Sequence, residues 1–176
     1  MIFSKSSISK TRLLVIDFDG VMTDGGIYLN ENGDSFRRFD VKDGLGIKLL
    51  QKHLIQIAII SGSNSKIIRS RGEALDIKII RVGISDKLSE LKLIQKKLNI
   101  TPLETLFLGD DINDLTVLDS VNAFIVPANA HKACKEKASL IANSNGGFGF
   151  IREIVDQILF SKGINPYLPF KTKNDF

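Results

Sequence analysis

The stretch Leu13-Leu14-Val15-Ile16-Asp17-Phe18-Asp19-Gly20 decides how this chain folds. Its four consecutive apolar residues are typical of a buried strand. Asp17 and Asp19 come where that strand ends, and a glycine turn follows them. In an open parallel sheet, ligands bind beyond the carboxyl ends of the strands. The sequence therefore predicts two carboxylates at the ligand-binding edge of a sheet.

Placing Asp17 and Asp19 together at the end of a buried strand costs free energy. Two ionised carboxylates at the edge of a core repel each other, and burial disfavours the charged form of both. A divalent cation relieves the repulsion. Mg²⁺ suits the site because it takes hard oxygen ligands at about 2.0–2.1 Å and keeps several waters. We therefore expect Mg²⁺ as the cofactor; the alternative is two surface aspartates paired with lysines.

The composition indicates one globular domain, and its mild positive charge is equally well explained by a small anionic substrate. A chain of 176 residues with 43% hydrophobic and 25% charged residues is long enough for one proper core. The net charge of +4 is not gathered into a stripe with interleaved aromatics, so we expect no nucleic-acid partner. Cys134 is the only cysteine, which excludes an intrachain disulfide. Without a signal peptide or a membrane-length apolar run, we expect a cytoplasmic protein with no membrane partner.

Apolar runs alternate with helical patterns along the chain. We predict strands at 13–16, 55–60, 77–82, 105–108 and 123–126, and helices at 45–54, 65–75, 87–98, near 113–120, near 130–138 and near 149–159. This alternation predicts βαβ units, and hence an α/β fold with a doubly wound, mostly parallel, Rossmann-like sheet.

Two further segments lie beside this pattern. Residues 25–40 read as a small β-hairpin inserted after the first strand, because Asn32-Gly33 supplies a turn between alternating residues. We predict a single domain over 1–176, with its core at about 11–160 and a C-terminal tail at 161–176. Tyr167, Leu168 and Phe170 of this tail either pack on a neighbouring surface or are loose.

Polar residues also follow three other predicted strands. Ser61 ends one strand, Lys87 opens a helix beyond another, and Asp110 follows a third together with Asp111 and Asp114. Taken singly, such a serine is usually a turn residue and such a lysine is usually solvated. A phosphate, however, needs a hydroxyl donor, a cation and a metal held by carboxylates. Because the carboxyl ends of these strands share one edge, the set predicts a phosphoryl-transfer site.

These segments resemble the four motifs of the haloacid dehalogenase superfamily of phosphohydrolases. The motifs are residues 17–25, Ser61, Lys87 and residues 109–114, and the likeness covers about 13–159. Within the superfamily the chain resembles the capless 3-deoxy-D-manno-octulosonate 8-phosphate phosphatases. The residues that carry this finer likeness are 39–47, 82–83 with 86–87, 126–128 with 130–131, and 146–149 with 152–153. The same set occurs in nonulosonate 9-phosphate phosphatases.

The resemblance implies a role for each matching residue. Asp17 would be the nucleophile that forms an aspartyl-phosphate, and Asp19 the general acid and base. The Asp17 carboxylate, the Asp19 backbone carbonyl and Asp110 would hold Mg²⁺, with Asp111 and Asp114 as supports that orient Lys87. Ser61 and Lys87 would hold the phosphoryl oxygens. The residues implied to contact the sugar acid are Asp40, Val41, Lys42, Asp43 and Gly44, taken as a loop, together with Arg71 and Lys87.

The resemblance also implies a homotetramer, in which hairpins meet and a neighbouring subunit helps to close each open site. The chain departs from the octulosonate pattern at Ser63, Lys42 and Lys48, where arginine is usual. A guanidinium grips a carboxylate through two hydrogen bonds, whereas lysine is a point charge. The substrate therefore stays open between an octulosonate 8-phosphate and a nonulosonate 9-phosphate. Two hypotheses without such a substrate also stay open: a phosphoacceptor receiver domain, and a non-catalytic oligomerisation domain of the same fold.

Overall fold

Six parallel strands form the centre of the computed structural model, which describes residues 8–167. They are β1 (Leu13–Ile16), β4 (Gln56–Ile60), β5 (Ile79–Arg81), β6 (Thr105–Leu108), β7 (Ala123–Val126) and β8 (Leu140–Ile141). Their order in the sheet is β5-β4-β1-β6-β7-β8. The chain thus winds outward in both directions from β1, which is the kind of reversal point where open α/β sheets bind ligands. The doubly wound parallel sheet is confirmed.

Two layers of helices cover the sheet. The helices are α1 (Val41–Lys52), α2 (Lys66–Ala74), α3 (Lys87–Leu98), α4 (Lys132–Lys137) and α5 (Phe150–Ser161). Residues of α1, α2 and α5 share one apolar core with Leu14 and Ile16 of β1. Residues of α3 and α4 share the other core with Leu13 and Val15. Because successive strand residues point to opposite faces, the four apolar residues of β1 serve both cores and are fully buried.

A small hairpin follows β1. Its strands are β2 (Tyr28–Leu29) and β3 (Ser35–Phe36), which pair antiparallel with Tyr28 opposite Phe36. Gly33 adopts a φ of 81° in the connecting turn, a conformation that glycine takes without strain. An isolated bridge between Thr23 and Phe39 closes the base. The hairpin predicted for 25–40 is confirmed, although its paired strands are only two residues each.

The structure corrects the assignment of 40–44 as a loop. Asp40 is the N-cap of α1, its side chain accepts a hydrogen bond from Lys42 N, and residues 41–44 form the first helical turn. The sequence predicts this helix only from residue 45, and two glycines lie near that point. A Cβ on Gly44 would lie 2.9 Å from an Arg71 nitrogen, and one on Gly46 would lie 3.3 Å from the Arg152 Cα. A Cβ at either position would therefore crowd a neighbouring helix.

Smaller differences concern short elements. The helix predicted near 113–120 is a 3₁₀ helix, Ile112–Ser120, and a 3₁₀ turn, Pro102–Glu104, precedes β6. The two-residue strand β8 was not predicted, because so short a segment carries no periodicity. None of the described helices is both long and apolar enough to cross a membrane. Tyr167 packs edge-on against Phe160 at 5.0 Å between ring centroids, while Leu168 and Phe170 lie outside the described residues.

Candidate active site

The strand ends converge on one open cavity of about 500 Å³. Asp17 and Asp19 after β1, Ser61 after β4 and Asp110 after β6 all line it. The register explains the convergence, because Ile16 pairs with both Ile59 and Leu108. The next residues of the three strands therefore reach the same edge of the sheet. The structure brings together the four side chains that the sequence places at strand ends.

Lys87, the first residue of α3, contacts Asp17, which lines this cavity. Its Nζ donates to Asp17 Oδ1 at 2.7 Å and to Asp114 Oδ1 at 2.6 Å, and the residue is 2% exposed. Burial alone lowers the pKa of this lysine, but the two carboxylates outweigh burial and raise it. Lys87 is thus a buried, fully charged ammonium, and the alternative of a solvated lysine is wrong.

Asp114 ties the loop after β6 to Lys87. Besides the ion pair through Oδ1, its Oδ2 accepts hydrogen bonds from the backbone nitrogens of Asp110 at 3.0 Å and Asp111 at 3.3 Å. Asp111 instead caps the following 3₁₀ helix by accepting from Ile112 N at 2.7 Å. Asp114 is therefore placed to orient Lys87, whereas Asp111 shapes the loop.

The carboxylates form a candidate cation site. Oxygens of Asp17, Asp110 and Asp114 lie within 4.8 Å of one another. Burial, followed by repulsion from Asp114, raises the pKa of Asp17 to about 7, and burial followed by repulsion from Asp17 raises the pKa of Asp110 to about 8. Since both oxygens of Asp114 already accept hydrogen bonds, Asp17 and Asp110 are the better ligands. A cluster of hard oxygen donors with excess negative charge fits Mg²⁺.

Gly20 permits the approach of Asp110 to β1. A Cβ on Gly20 would lie 2.0 Å from Asp110 Oδ2, and its φ of 81° also favours glycine. The hydroxyl of buried Thr23 accepts hydrogen bonds from the nitrogens of Gly20 and Gly25, each at 3.2 Å. The turn after Asp19 is therefore shaped so that carboxylates from two strands meet.

Asp19 has a partner that the sequence does not suggest. Arg37, which follows β3 of the hairpin, donates from Nε to Asp19 Oδ1 at 3.0 Å. The Arg37 side chain is only 7% exposed, whereas that of Asp19 is 35% exposed. Nothing in the run Phe36-Arg37-Arg38-Phe39 distinguishes one arginine from the other. Arg38 in fact packs elsewhere, 3.9 Å above the ring of Phe148.

The residues implied to contact a sugar acid form a separate group. Among the described residues, none of Asp40, Val41, Lys42, Asp43, Gly44 and Arg71 lines the 500 Å³ cavity. Val41 is exposed, and Lys42 Nζ lies 3.7 Å from Asp40 Oδ2. Arg71 packs against Gly44 and 4.9 Å from the ring centre of Phe39. In the single chain, this group therefore lies outside the lining of that cavity.

Asp43 has a structural task that the sequence does not reveal. It is 3% exposed, and its Oδ1 accepts from Arg152 N at 2.9 Å in the first turn of α5, whose N-cap is Gly149. Burial raises the pKa of Asp43 to about 6. Within residues 8–167, its Oδ2 has no hydrogen-bond partner. The side chain of Arg152 forms an ion pair with Asp156 of the same helix, at 2.7 Å between Nε and Oδ1.

A family model and similar proteins identify the class of protein. The model for haloacid dehalogenase-like hydrolases matches residues 40–154, and the chain belongs to this family. It is a phosphoric monoester hydrolase. The receiver-domain hypothesis is thereby excluded.

Particular members are similar over most of their length. A 3-deoxy-D-manno-octulosonate 8-phosphate phosphatase from Salmonella typhi is 36% identical over 152 residues, which cover 86% of this chain and 81% of that protein. The crystal structure of such a phosphatase from Yersinia pestis superposes with a TM-score of 0.88 at 34% identity, covering 90% of this chain and 86% of the other. One from Moraxella catarrhalis, in complex with magnesium ion, phosphate ion and a KDO molecule, gives 0.87 at 31% identity and covers 90% and 91%.

Proposed function

We propose that this chain is a Mg²⁺-dependent phosphatase of a phosphorylated sugar acid, 3-deoxy-D-manno-octulosonate 8-phosphate. The observation that carries the proposal is the buried Lys87 ammonium held between Asp17 and Asp114, where Asp17 and Asp110 line one open cavity. The similar proteins from Salmonella, Yersinia and Moraxella are named as phosphatases of that compound, which supports the proposed substrate. A nonulosonate 9-phosphate is the alternative substrate.

The first half-reaction transfers the phosphoryl group to Asp17. A carboxylate oxygen of Asp17 forms a bond to phosphorus while the bond between phosphorus and the sugar oxygen breaks. That oxygen takes a proton from the Asp19 carboxyl group and leaves as an alcohol. Lys87 and Ser61 hold the phosphoryl oxygens through preorganised charge and hydrogen bonds, each contact contributing about 10²–10³ in rate.

The second half-reaction restores the enzyme. Asp19, now a carboxylate, takes a proton from a water molecule as the water oxygen bonds to phosphorus and the bond to Asp17 breaks. Inorganic phosphate leaves, Asp17 is again a carboxylate, and Asp19 is again protonated. The carboxylates of Asp17 and Asp110 and the backbone carbonyl of Asp19 would hold Mg²⁺. The ion supplies positive charge that lets Asp17 and the phosphate approach each other.

We further propose that the protein is a homotetramer built through the hairpin. Several of its apolar side chains are largely exposed in the single chain: Ile27, Tyr28, Leu29 and Phe36. A contiguous exposed apolar patch marks an interaction site. A neighbour packed here would also explain how Lys42 and Arg71, which lie off the cavity of their own chain, contribute to recognition of a sugar acid.

Steady-state phosphate release tests the proposed function. We expect turnover of 3-deoxy-D-manno-octulosonate 8-phosphate with Mg²⁺ and its loss when a chelator is added. A kcat/KM more than about tenfold higher for a nonulosonate 9-phosphate would assign the nine-carbon substrate instead, which the absence of arginine at position 63 keeps open. No release from either compound, nor from p-nitrophenyl phosphate, would favour a non-catalytic oligomerisation domain.

A further inference from the structure

Arg37 of the hairpin reaches one of the reacting carboxylates. It lies between exposed Phe36 and exposed Arg38, yet its own side chain is only 7% exposed. Burying a guanidinium is costly unless it is paired and hydrogen-bonded. The contact that compensates this cost is the 3.0 Å bond from Arg37 Nε to Asp19 Oδ1.

The Arg37 guanidinium is held on two sides. In addition to the bond from Nε to Asp19, its Nη1 donates to the Phe36 carbonyl at 3.2 Å. A planar guanidinium fixed at two nitrogens has little freedom to rotate, so it imposes an orientation on the carboxyl group that it binds. Asp19 itself is 35% exposed and lines the cavity, and Arg37 is the partner that the structure shows for its carboxylate.

We propose that Arg37 is a positioning residue that aims the Asp19 carboxyl group at the leaving-group oxygen. The inference rests on the proposed function, in which Asp19 gives a proton to that oxygen. Because the guanidinium donates to Oδ1, Oδ2 is the oxygen left to face the leaving group. The hairpin thereby determines which oxygen of Asp19 delivers the proton as the bond between phosphorus and oxygen breaks.

This role predicts a dependence on the leaving group. A sugar alkoxide is a poor leaving group and needs the proton from Asp19, whereas p-nitrophenolate leaves without one. General acid catalysis contributes about 10²–10⁴ in rate, and a misplacement of 1 Å costs up to about 10². Arg37→Gln is therefore expected to lower kcat/KM for the sugar-acid phosphate at least about tenfold, with kcat/KM for p-nitrophenyl phosphate within about twofold. The ratio kcat/KM reports only the steps up to release of the leaving group, before Asp19 acts as a base on water.

The experiment compares kcat and KM of the wild type, Arg37→Gln, Arg37→Lys and Arg38→Gln on both compounds. Arg37→Lys is expected to recover part of the loss, since its ammonium still donates to Oδ1 but lacks the planar fork. It also serves as the second variant should Arg37→Gln not fold, as judged by thermal unfolding and elution volume. Arg38→Gln removes the neighbouring arginine, which stacks on Phe148, and is expected to leave the ratio of the two activities unchanged.

Several outcomes would overturn the inference. An equal loss of kcat/KM on both compounds, or the same change of their ratio in Arg38→Gln, would each exclude a positioning role for Arg37. If Asp19→Asn abolishes sugar-phosphate turnover while Arg37→Gln behaves as the wild type, the proposed function stands and the inference fails. A wild type that hydrolyses neither compound refutes both.

Discussion

At the scale of single residues, the site is a balance of buried charges around Lys87. One ammonium faces Asp17 and Asp114 directly, with Asp110 beside them, so three carboxyl groups share one cationic side chain. Removing one partner of a buried ion pair leaves an uncompensated charge, which is more harmful than never having buried the pair. The stability of this site should therefore depend strongly on Lys87 and on a bound cation.

Lys87→Met is expected to lower the free energy of unfolding by about 3–5 kcal/mol, measured by chemical denaturation at pH 8 without divalent cations. It should also lower phosphate release by at least about 10²-fold, since a contact to the phosphoryl group is lost. Lys132→Met is the control, because that side chain is 89% exposed and lies 3.9 Å from Glu136. An exposed pair of this kind contributes only about 0–1 kcal/mol. Equal stability of the two variants would contradict the account.

The raised pKa values of Asp17 and Asp110 predict an unusual dependence of stability on pH. Both carboxyl groups have a pKa of 3.8 in model compounds, against about 7 and about 8 in the fold. At pH values between the unfolded and the folded pKa, the folded state binds more protons than the unfolded state. The free energy of unfolding therefore falls as the pH rises through this range. Without metal, the thermal midpoint is therefore expected to decrease from pH 5 to pH 8.

Mg²⁺ should reverse this trend, since it replaces the protons and binds the folded state. The stabilisation by Mg²⁺ is expected to grow between pH 5 and pH 8, and Asp110→Asn should reduce the growth. The measurement is thermal unfolding at several pH values, with Mg²⁺ or with a chelator. A midpoint that is independent of Mg²⁺ at pH 8 would argue against a cation site between Asp17 and Asp110.

At the scale of elements, the end of α1 carries local strain. Leu54 N donates to Gln51 O and Ile55 N donates to Leu50 O, a hydrogen-bond pattern that places Leu54 in a left-handed conformation with φ 59°. Glycine is usual there, because a Cβ in this region costs about 1–2 kcal/mol. The Leu54 side chain is 85% exposed, so it regains little by burial.

Leu54→Gly is expected to raise the free energy of unfolding by about 0.5–1 kcal/mol, since relief of strain exceeds the added flexibility of the unfolded chain. Leu93→Gly is the matched control. Leu93 is also exposed but lies within the right-handed helix α3, where glycine costs about 1 kcal/mol. Equilibrium denaturation measures both changes. A destabilising Leu54→Gly would contradict the claim that the left-handed conformation of Leu54 is strained.

Some elements follow from their sequences and others do not. β1, β6, β7 and α3 have the bounds that their apolar patterns predict, because each buries a continuous run or one face. The sequence does not predict the first turn of α1, since Gly44 disfavours a helix by propensity although it lies against Arg71 in the fold. Tertiary packing overrides local preference at this position.

Some contacts of the candidate site can likewise be predicted from the sequence, and others cannot. Asp17, Ser61 and Asp110 could be predicted to meet because parallel strands end at a common edge. The contact between Arg37 and Asp19 could not be predicted, because it spans 18 positions and depends on how the hairpin folds back over the strand end. Likewise, the use of Asp43 to cap α5 depends on the packing of two helices distant in sequence.

At the scale of the whole molecule, the hairpin is the element whose apolar side chains a single chain leaves exposed to solvent. Leu29 is 67% exposed and Ile27 is 63% exposed, and both lie on the element that carries Arg37. If hairpins of four chains pack together, as we propose, the same contact that forms the oligomer also restrains the residue that holds Asp19. Assembly and the proposed chemistry would then depend on one surface.

Leu29→Arg is expected to lower the mass in solution from four copies of the 19.5 kDa chain to a smaller species, because a charge disfavours the core of an interface. Light scattering after size-exclusion chromatography measures the mass. Leu103→Arg is the control, since Leu103 is 66% exposed but precedes the amino end of β6, away from the hairpin. A wild type that is monomeric, or equal masses for both variants, would contradict assembly through the hairpin.

The central claim is that side chains from separate strands act together on one phosphoryl group, with Asp17 supplying the attacking oxygen. Phosphate release by Asp17→Asn, with Mg²⁺ and the sugar-acid phosphate, tests it most directly. The amide is nearly the same size as the carboxylate and can still contact Lys87, but it cannot attack phosphorus. We predict a folded protein whose turnover is at least about 10³-fold lower than that of the wild type. Turnover retained at the level of the wild type would contradict the claim.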